Sequence, residues 1–339
     1  MMGTKGRSLR SVIIQGFIGV VCGAALLWLS FRKVGLGNVA DTLLAIDLAW
    51  VAAAMAAYGM ALSLRTIRWW VILRPVARIR LHQVGAALLL GYGLNALIPA
   101  RLGELMRADY CGRRYGLSRS TVFGTILIER FSDGVIVLCA LMLGLSFIHT
   151  DDRTLAILHS FVVTGLAVFG VFGFLMLASG RAPRLLRRFP FVAQKLTSLS
   201  ESLALLRSAT MVEVVSLSVV VWLADGTALW AILRACGAPL TFVPMLVVIG
   251  IVSLASLLPS PPGFIGTMQF SFALSVSLVN GTASRGVAAA TANQLFLILP
   301  LILCAFFLWI WLSWRSHKNL PRHAPDRHEQ HALPLTDES

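Results

Sequence analysis

Eight stretches of this 339-residue chain are apolar over lengths that fit a bilayer, and that feature limits the fold more than any other. Hydrocarbon offers the backbone no hydrogen-bond partner, so a spanning segment must be a helix or part of a closed barrel. A helix needs about 20 apolar residues to cross. Six stretches, near 12–31, 47–64, 121–148, 155–179, 211–233 and 287–313, read as continuous crossing helices. Two more, near 84–110 and 244–281, are apolar but interrupted by Pro, Gly and polar residues. Only 13% of the residues are charged, about half the share of a soluble domain. The expected fold is an all-α polytopic membrane protein over residues 1–314, followed by a disordered cytoplasmic tail over 315–339.

Charge sets the expected threading. If both broken segments enter the membrane and return to the side they came from, 23 of the 29 Lys and Arg residues fall on one side and five on the other, with Arg130 inside a span. The positive-inside rule makes the basic side cytoplasmic. Six spans, two re-entrant hairpins and both termini in the cytoplasm of a cell inner membrane follow. Lys5, Arg7 and Arg10 resemble the start of a signal peptide, but the run after them is long enough to span and has no small-residue cleavage site, so an uncleaved first span is expected. Trp28, Trp50 and Trp230 then sit at outer boundaries, and Trp69, Trp70, Trp311 and Trp314 at inner ones. The formal charge of +14 reads as topology and headgroup contact rather than nucleic-acid binding. Segment 180–210, basic and loosely amphipathic, is either a loop helix on the headgroups or a lipid sensor. Five scattered cysteines show no CxxC pairing, so neither a disulfide framework nor a metal site is expected, and no cofactor.

The broken segments resemble each other. Leu97-Ile98-Pro99-Ala100-Arg101-Leu102-Gly103 parallels Leu257-Leu258-Pro259-Ser260-Pro261-Pro262-Gly263, and each precedes a span with polar interior residues: Glu129, Arg130 and Asp133 in one, Asn293 and Gln294 in the other. Entering from opposite sides, they read as an inverted repeat whose broken helices meet near the midplane. Proline and glycine leave backbone groups unpaired there, which only protein or a water-filled cavity can satisfy.

Each charge at a helix centre costs about 2.5–3.5 kcal/mol on insertion scales, so Glu129, Arg130 and Asp133 need partners such as Arg101, Glu104 or Arg107. Two readings stay open: a structural salt-bridge network, or a pocket for an anionic headgroup with arginines on phosphate. Arg65, Arg68 and Trp69 read first as snorkelling anchors, with a phosphate contact as the alternative. Asp225 stands alone in its span, either functional or protonated and hydrogen-bonded.

Arg65-x-x-Arg68-Trp69, Asn95-x-x-x-Pro99-x-Arg101-x-Gly103-Glu104-x-x-Arg107, Glu129-Arg130-x-x-Asp133, and Pro259 through Gly263-x-x-Gly266-Thr267 together resemble the flippase-like family of the lysylphosphatidylglycerol synthase transmembrane region, over roughly residues 10–315. The resemblance implies re-entrant helices and movement of a polar or glycan-bearing lipid between leaflets. It also implies substrate binding by these residues and by Ser260, Gln269 and Asn293. Where the family's second hairpin usually continues to a Glu, this chain has Gln269; where its last span usually carries an Arg seven residues before Pro300, this chain has Asn293. A neutral contact in place of a charged one is expected there. The function expected is translocation or binding of an anionic lipid. The alternatives are a membrane-embedded transferase or hydrolase on a lipid-linked substrate, and an accessory subunit. Expected partners are membrane lipids, with a second copy or a lipid-synthesis enzyme possible.

Overall fold

Apolar side chains on every face leave these segments no stable form but helix in lipid, and helix is what the described residues adopt. The computed structural model describes residues 9–32, 34–98, 102–148, 152–178, 208–257 and 260–318. In chain order the helices are α1 (Leu9–Arg32), α2 (Leu36–Leu44), α3 (Leu48–Leu73), α4 (Leu81–Leu97), α5 (Leu102–Tyr115), α6 (Arg119–Leu145), α7 (Asp152–Ala178), α8 (Ser208–Ala235), α9 (Phe242–Ala255), α10 (Thr267–Leu278), α11 (Ala283–Asn293) and α12 (Leu299–Lys318). Among the described residues no strand occurs.

Local sequence explains the starts and breaks. Asp47 caps α3 by accepting from the Ala49 amide at 2.9 Å, and the Ser118 side chain caps α6, as short oxygen-bearing side chains do. α11 runs into α12 through a π-helical turn at Gln294–Ile298. Pro300 follows, with no N–H to donate and a ring that crowds the carbonyl four residues back, and a widened turn absorbs both effects. Between α9 and α10 lies a 3₁₀ turn, Pro262–Phe264. Positive φ there falls on Gly263 (71°), Phe264 (57°) and Gly266 (85°).

Among the described residues, four helices are long and apolar enough to cross a membrane: Leu48–Leu73, Arg153–Val171, Thr210–Ala235 and Ala283–Arg315. The spans expected near 47–64, 155–179, 211–233 and 287–313 lie on them. The other two expected spans differ. The stretch expected near 12–31 lies in α1, which turns by 88° into α2 and gives a fifth crossing only if the bent pair counts as one. α6 is 27 residues long, but Glu129, Arg130 and Asp133 put three charges within five positions of it, so it is no uninterrupted apolar crossing. Helix α12 continues past Arg315 to Lys318, so the first residues assigned to the tail are helical. Residues 319–339 and most of 180–210, with its amphipathic pattern, lie outside the described residues.

α3 and α8 form an antiparallel pair. Trp50 meets Trp230 edge-on at 5.2 Å at one end, and Arg74 lies 3.7 Å from Glu213 at the other. α9 packs on α6, where a side chain at Gly250 would meet Leu141 at 2.6 Å and one at Gly144 would meet Val247 at 2.8 Å. α4 packs equally closely on α12 through Gly93 and Ala305. Small residues bring helix backbones together where lipid supplies no hydrophobic drive to pack. The expected anchoring role of Trp69 is corrected: it is fully buried, and its indole N–H donates to Thr125 Oγ1 at 3.1 Å. Trp311 and Trp314 are exposed.

Candidate functional site

Among the described residues, eight charged side chains from four helices converge: Arg65 and Arg68 on α3, Glu104 and Arg107 on α5, Glu129, Arg130 and Asp133 on α6, and Asp225 on α8. Four are cationic and four anionic, so the cluster balances. Glu129 stands ten residues into α6, about 15 Å along its axis from the Arg119 end.

Arg68 is the hub. It is fully buried, donates to Asp133 Oδ1 at 2.6 Å and Oδ2 at 3.2 Å, and also reaches Glu129 Oε1 at 3.3 Å and Ser218 Oγ at 2.9 Å. Glu129 and Asp133, four apart on one helix face, grip it together. Arg107, also buried, donates to Glu129 Oε2 at 2.9 Å. Its guanidinium stacks on Trp69 at 3.8 Å; a ring face attracts a cation and partly replaces the partners that Nε and Nη1 lack. Arg65 forms a two-pronged ion pair with Asp225. These contacts overturn two expectations. Arg65 and Arg68 are not snorkelling anchors, because carboxylates inside the protein hold them more closely than the headgroup region could. Asp225 is not alone, because α3 brings Arg65 to it.

Arg130 is held more loosely. It lies 3.2 Å from Glu104, 3.5 Å from Glu129 and 3.7 Å from Asp133, and its side chain keeps 28% of its exposure. Tyr92 accepts from Arg130 and donates to Glu129, each at 3.1 Å, tying the two charges through one hydroxyl. Replacing Tyr92 with Phe should cost about 1.5–3 kcal/mol of stability, the worth of a hydrogen bond to a charged group. Thermal melting in detergent measures it.

A cavity of about 440 Å³ opens beside the cluster. Seven predicted site residues line it: Arg65, Asn95, Glu104, Arg130, Asp133, Asp225 and Asn293. Its other walls are apolar, with Leu62, Phe169, Leu254 and Leu301 among them. Arg68, Arg107 and Glu129 lie behind this wall and fix the residues in front. Asn95 Oδ1 accepts from the Gly103 amide at 2.7 Å, holding α5 against α4 across the break. Pro99, Arg101 and Pro259 lie outside the described residues.

The second broken segment is neutral and tightly tied. The Gly266 amide donates to Gln269 Oε1 and Gln269 Nε2 to Gln294 Oε1, each at 2.7 Å; Gln294 Nε2 donates to the Gly263 carbonyl at 2.8 Å. Ser260 and Thr267 share a hydrogen bond at 2.9 Å. The expected neutral contact is present, but it joins Gln269 to Gln294 rather than to Asn293. Ser260, Gly263, Gly266, Thr267 and Gln269 shape this turn without lining the cavity.

Sequence reading missed Ser218 and Trp222, whose indole N–H donates to Asp133 Oδ1 at 3.0 Å. With Asp225 they recur at spacings of four and three along α8, a polar stripe on one face of an apolar helix, and that periodicity was the available signal. Tyr92 precedes Asn95 by three and shares its face.

The family described as "Lysylphosphatidylglycerol synthase TM region" matches residues 16–316. The chain belongs to that family. It is also similar to "Glycosyltransferase AglD" of Haloferax volcanii, 27% identical over 331 residues, a match covering 84% of this chain and 52% of that protein. The chain thus spans about half the length of this curated relative. Family membership and the apolar helices make it a multi-pass membrane protein with a lipid-related setting.

Proposed function

We propose that this protein carries a lipid with an anionic phospho- or glyco-headgroup between the leaflets of a cell inner membrane, the headgroup passing through the polar cavity while the chains stay in lipid. One observation carries this reading: a charge-balanced cluster between the helices presents its least constrained arginine, Arg130, to a cavity that is polar on one wall and apolar on the other. A phosphate arriving there competes with Glu104 and Asp133 for a guanidinium that neither grips closely. Arg68 and Arg107, held by Glu129 and Asp133, keep those carboxylates in place while Arg130 changes partner. Arg101, on the first hairpin, is the second cation assigned to the headgroup.

Residues 84–110 and 244–281 are read as re-entrant hairpins entering from opposite sides. In support, both break into shorter helices at the related motifs. The basic-residue count favours cytoplasmic termini.

The glycosyltransferase name of the relative favours a second reading, a membrane-embedded transferase on a lipid-linked sugar. One experiment separates the two. The purified protein is reconstituted in liposomes carrying fluorescent phosphatidylglycerol, phosphatidylcholine or a polyprenyl phosphate on the inner leaflet, with and without an activated sugar donor outside. Transport predicts label reaching the outer leaflet faster than in protein-free vesicles, most for an anionic lipid, with no donor needed. Glycosylated product without leaflet exchange would favour the transferase.

A further inference from the structure

We infer that Arg65 and Asp225 are one position of the molecule occurring twice, on the two-fold axis of an inverted repeat, and that their ion pair is the pivot about which the two halves move. The inference rests on the transport reading above for what the motion accomplishes, but not for the placement of the pair.

The two residues stand 160 positions apart. The same interval separates Leu97 through Gly103 from Leu257 through Gly263. It also relates a more specific device. Trp70 donates its indole N–H to the Ile79 carbonyl at 2.9 Å, and Arg74 lies over its ring at 4.4 Å. Trp230 and Arg234, the residues 160 positions on, repeat it: Trp230 donates to the Leu240 carbonyl at 2.8 Å, one residue beyond Pro239, the equivalent of Ile79, and Arg234 lies over its ring at 4.8 Å. Each device ends its helix, α3 in one case and α8 in the other. Because α3 and α8 run antiparallel, the copies sit at opposite ends of the pair, which is what inversion requires. Packing between the halves is reciprocal as well. α4 lies on α12 at Gly93, close to Ala305 and the Leu301 carbonyl; α9 lies on α6 at Gly250, close to Leu141, and Leu141 moved by 160 is Leu301. Asp133 and Asn293, again 160 apart, both line the cavity.

In a two-fold arrangement, a residue that touches its own equivalent lies on the axis. Arg65 bound to Asp225 meets that condition. If the halves exchange conformations to open the cavity first to one side and then to the other, this contact maps onto itself and need not break. The neighbouring contacts do not map in this way. The equivalents of Arg68, Arg107 and Glu129 are Ala228, Thr267 and Ala289, so that network belongs to the first half alone. Opening the Arg65–Asp225 pair during each cycle would strand two charges in low dielectric; a pivot avoids it.

The test is a charge swap. Arg65→Asp, Asp225→Arg, the double swap and wild type are compared for melting temperature in detergent and for leaflet exchange in the liposomes described above. Each single variant puts two like charges together and is expected to melt lower and lose exchange about tenfold or more. The double swap is expected to melt well above either single variant and to regain exchange, because opposite charges meet again at the two axial positions. A swap that melts as low as the single variants would overturn the axial placement. A swap that folds as wild type while wild type moves lipid and the swap does not would overturn the pivot and make the pair a substrate contact. Wild type that moves no lipid overturns the transport reading alone, and the melting comparison still decides the placement.

Discussion

Replacing Glu129 with Gln should cost about 3–5 kcal/mol of stability, because it removes one partner from a buried charge network and leaves the others uncompensated. Three arginines approach this carboxylate: Arg107 at 2.9 Å, Arg68 at 3.3 Å and Arg130 at 3.5 Å. The side chain has no exposed surface, so water cannot take over. Glu213 is the natural comparator. It faces Arg74 at 3.7 Å with both side chains more than half exposed, and an exposed pair of this kind contributes about 0–1 kcal/mol. Thermal melting of Glu129→Gln and Glu213→Gln in the same detergent should therefore separate widely. Equal, small losses for both would show that the cluster is hydrated and does not hold α3, α5 and α6 together.

The second large effect is expected at Gly266. Its φ of 85° already disfavours any side chain, and an added Cβ would collide with the Gly23 carbonyl on α1. Gly263 gives the control, with φ of 71° but its nearest neighbour Ile265 at 3.8 Å. Alanine at Gly263 should cost about 1–2 kcal/mol, the left-handed penalty. Alanine at Gly266 should cost several kcal/mol, because backbone must move as well. It should also disturb the Gln269–Gln294 ties. Folded yield and melting temperature report the ranking; a Gly266→Ala protein as stable as Gly263→Ala would mean that α1 is not docked on the turn.

These two sites show how much was legible in the sequence. Helices and breaks were, because a 20-residue apolar run has one solution in lipid and Pro or Gly within it has few. Membership of the charged cluster was largely legible too, since Glu129, Arg130 and Asp133 could not remain unpaired in hydrocarbon. What could not be read was pairing across distance. Arg65 and Asp225 lie 160 residues apart, and nothing local says that α3 and α8 adjoin; Arg65 therefore looked like an anchor and Asp225 like an isolated acid. Trp69 was misjudged for the same reason, since a tryptophan near a helix end is an interfacial anchor unless another helix covers it, and α5 and α6 do. The distinction between Arg68, clamped behind the wall, and Arg130, loose at its surface, rests on distances that no spacing rule contains.

The loosely held Arg130 is the residue proposed to meet the headgroup phosphate first. In liposomes of anionic lipid, the initial rate of leaflet exchange is measured for wild type, Arg130→Gln and Arg101→Ala, with melting temperature recorded for each. Both variants should fold and lose about tenfold or more of the wild-type rate, as removal of a charged contact to phosphate implies. Wild-type rates from folded variants of both would contradict passage of the headgroup through this cavity.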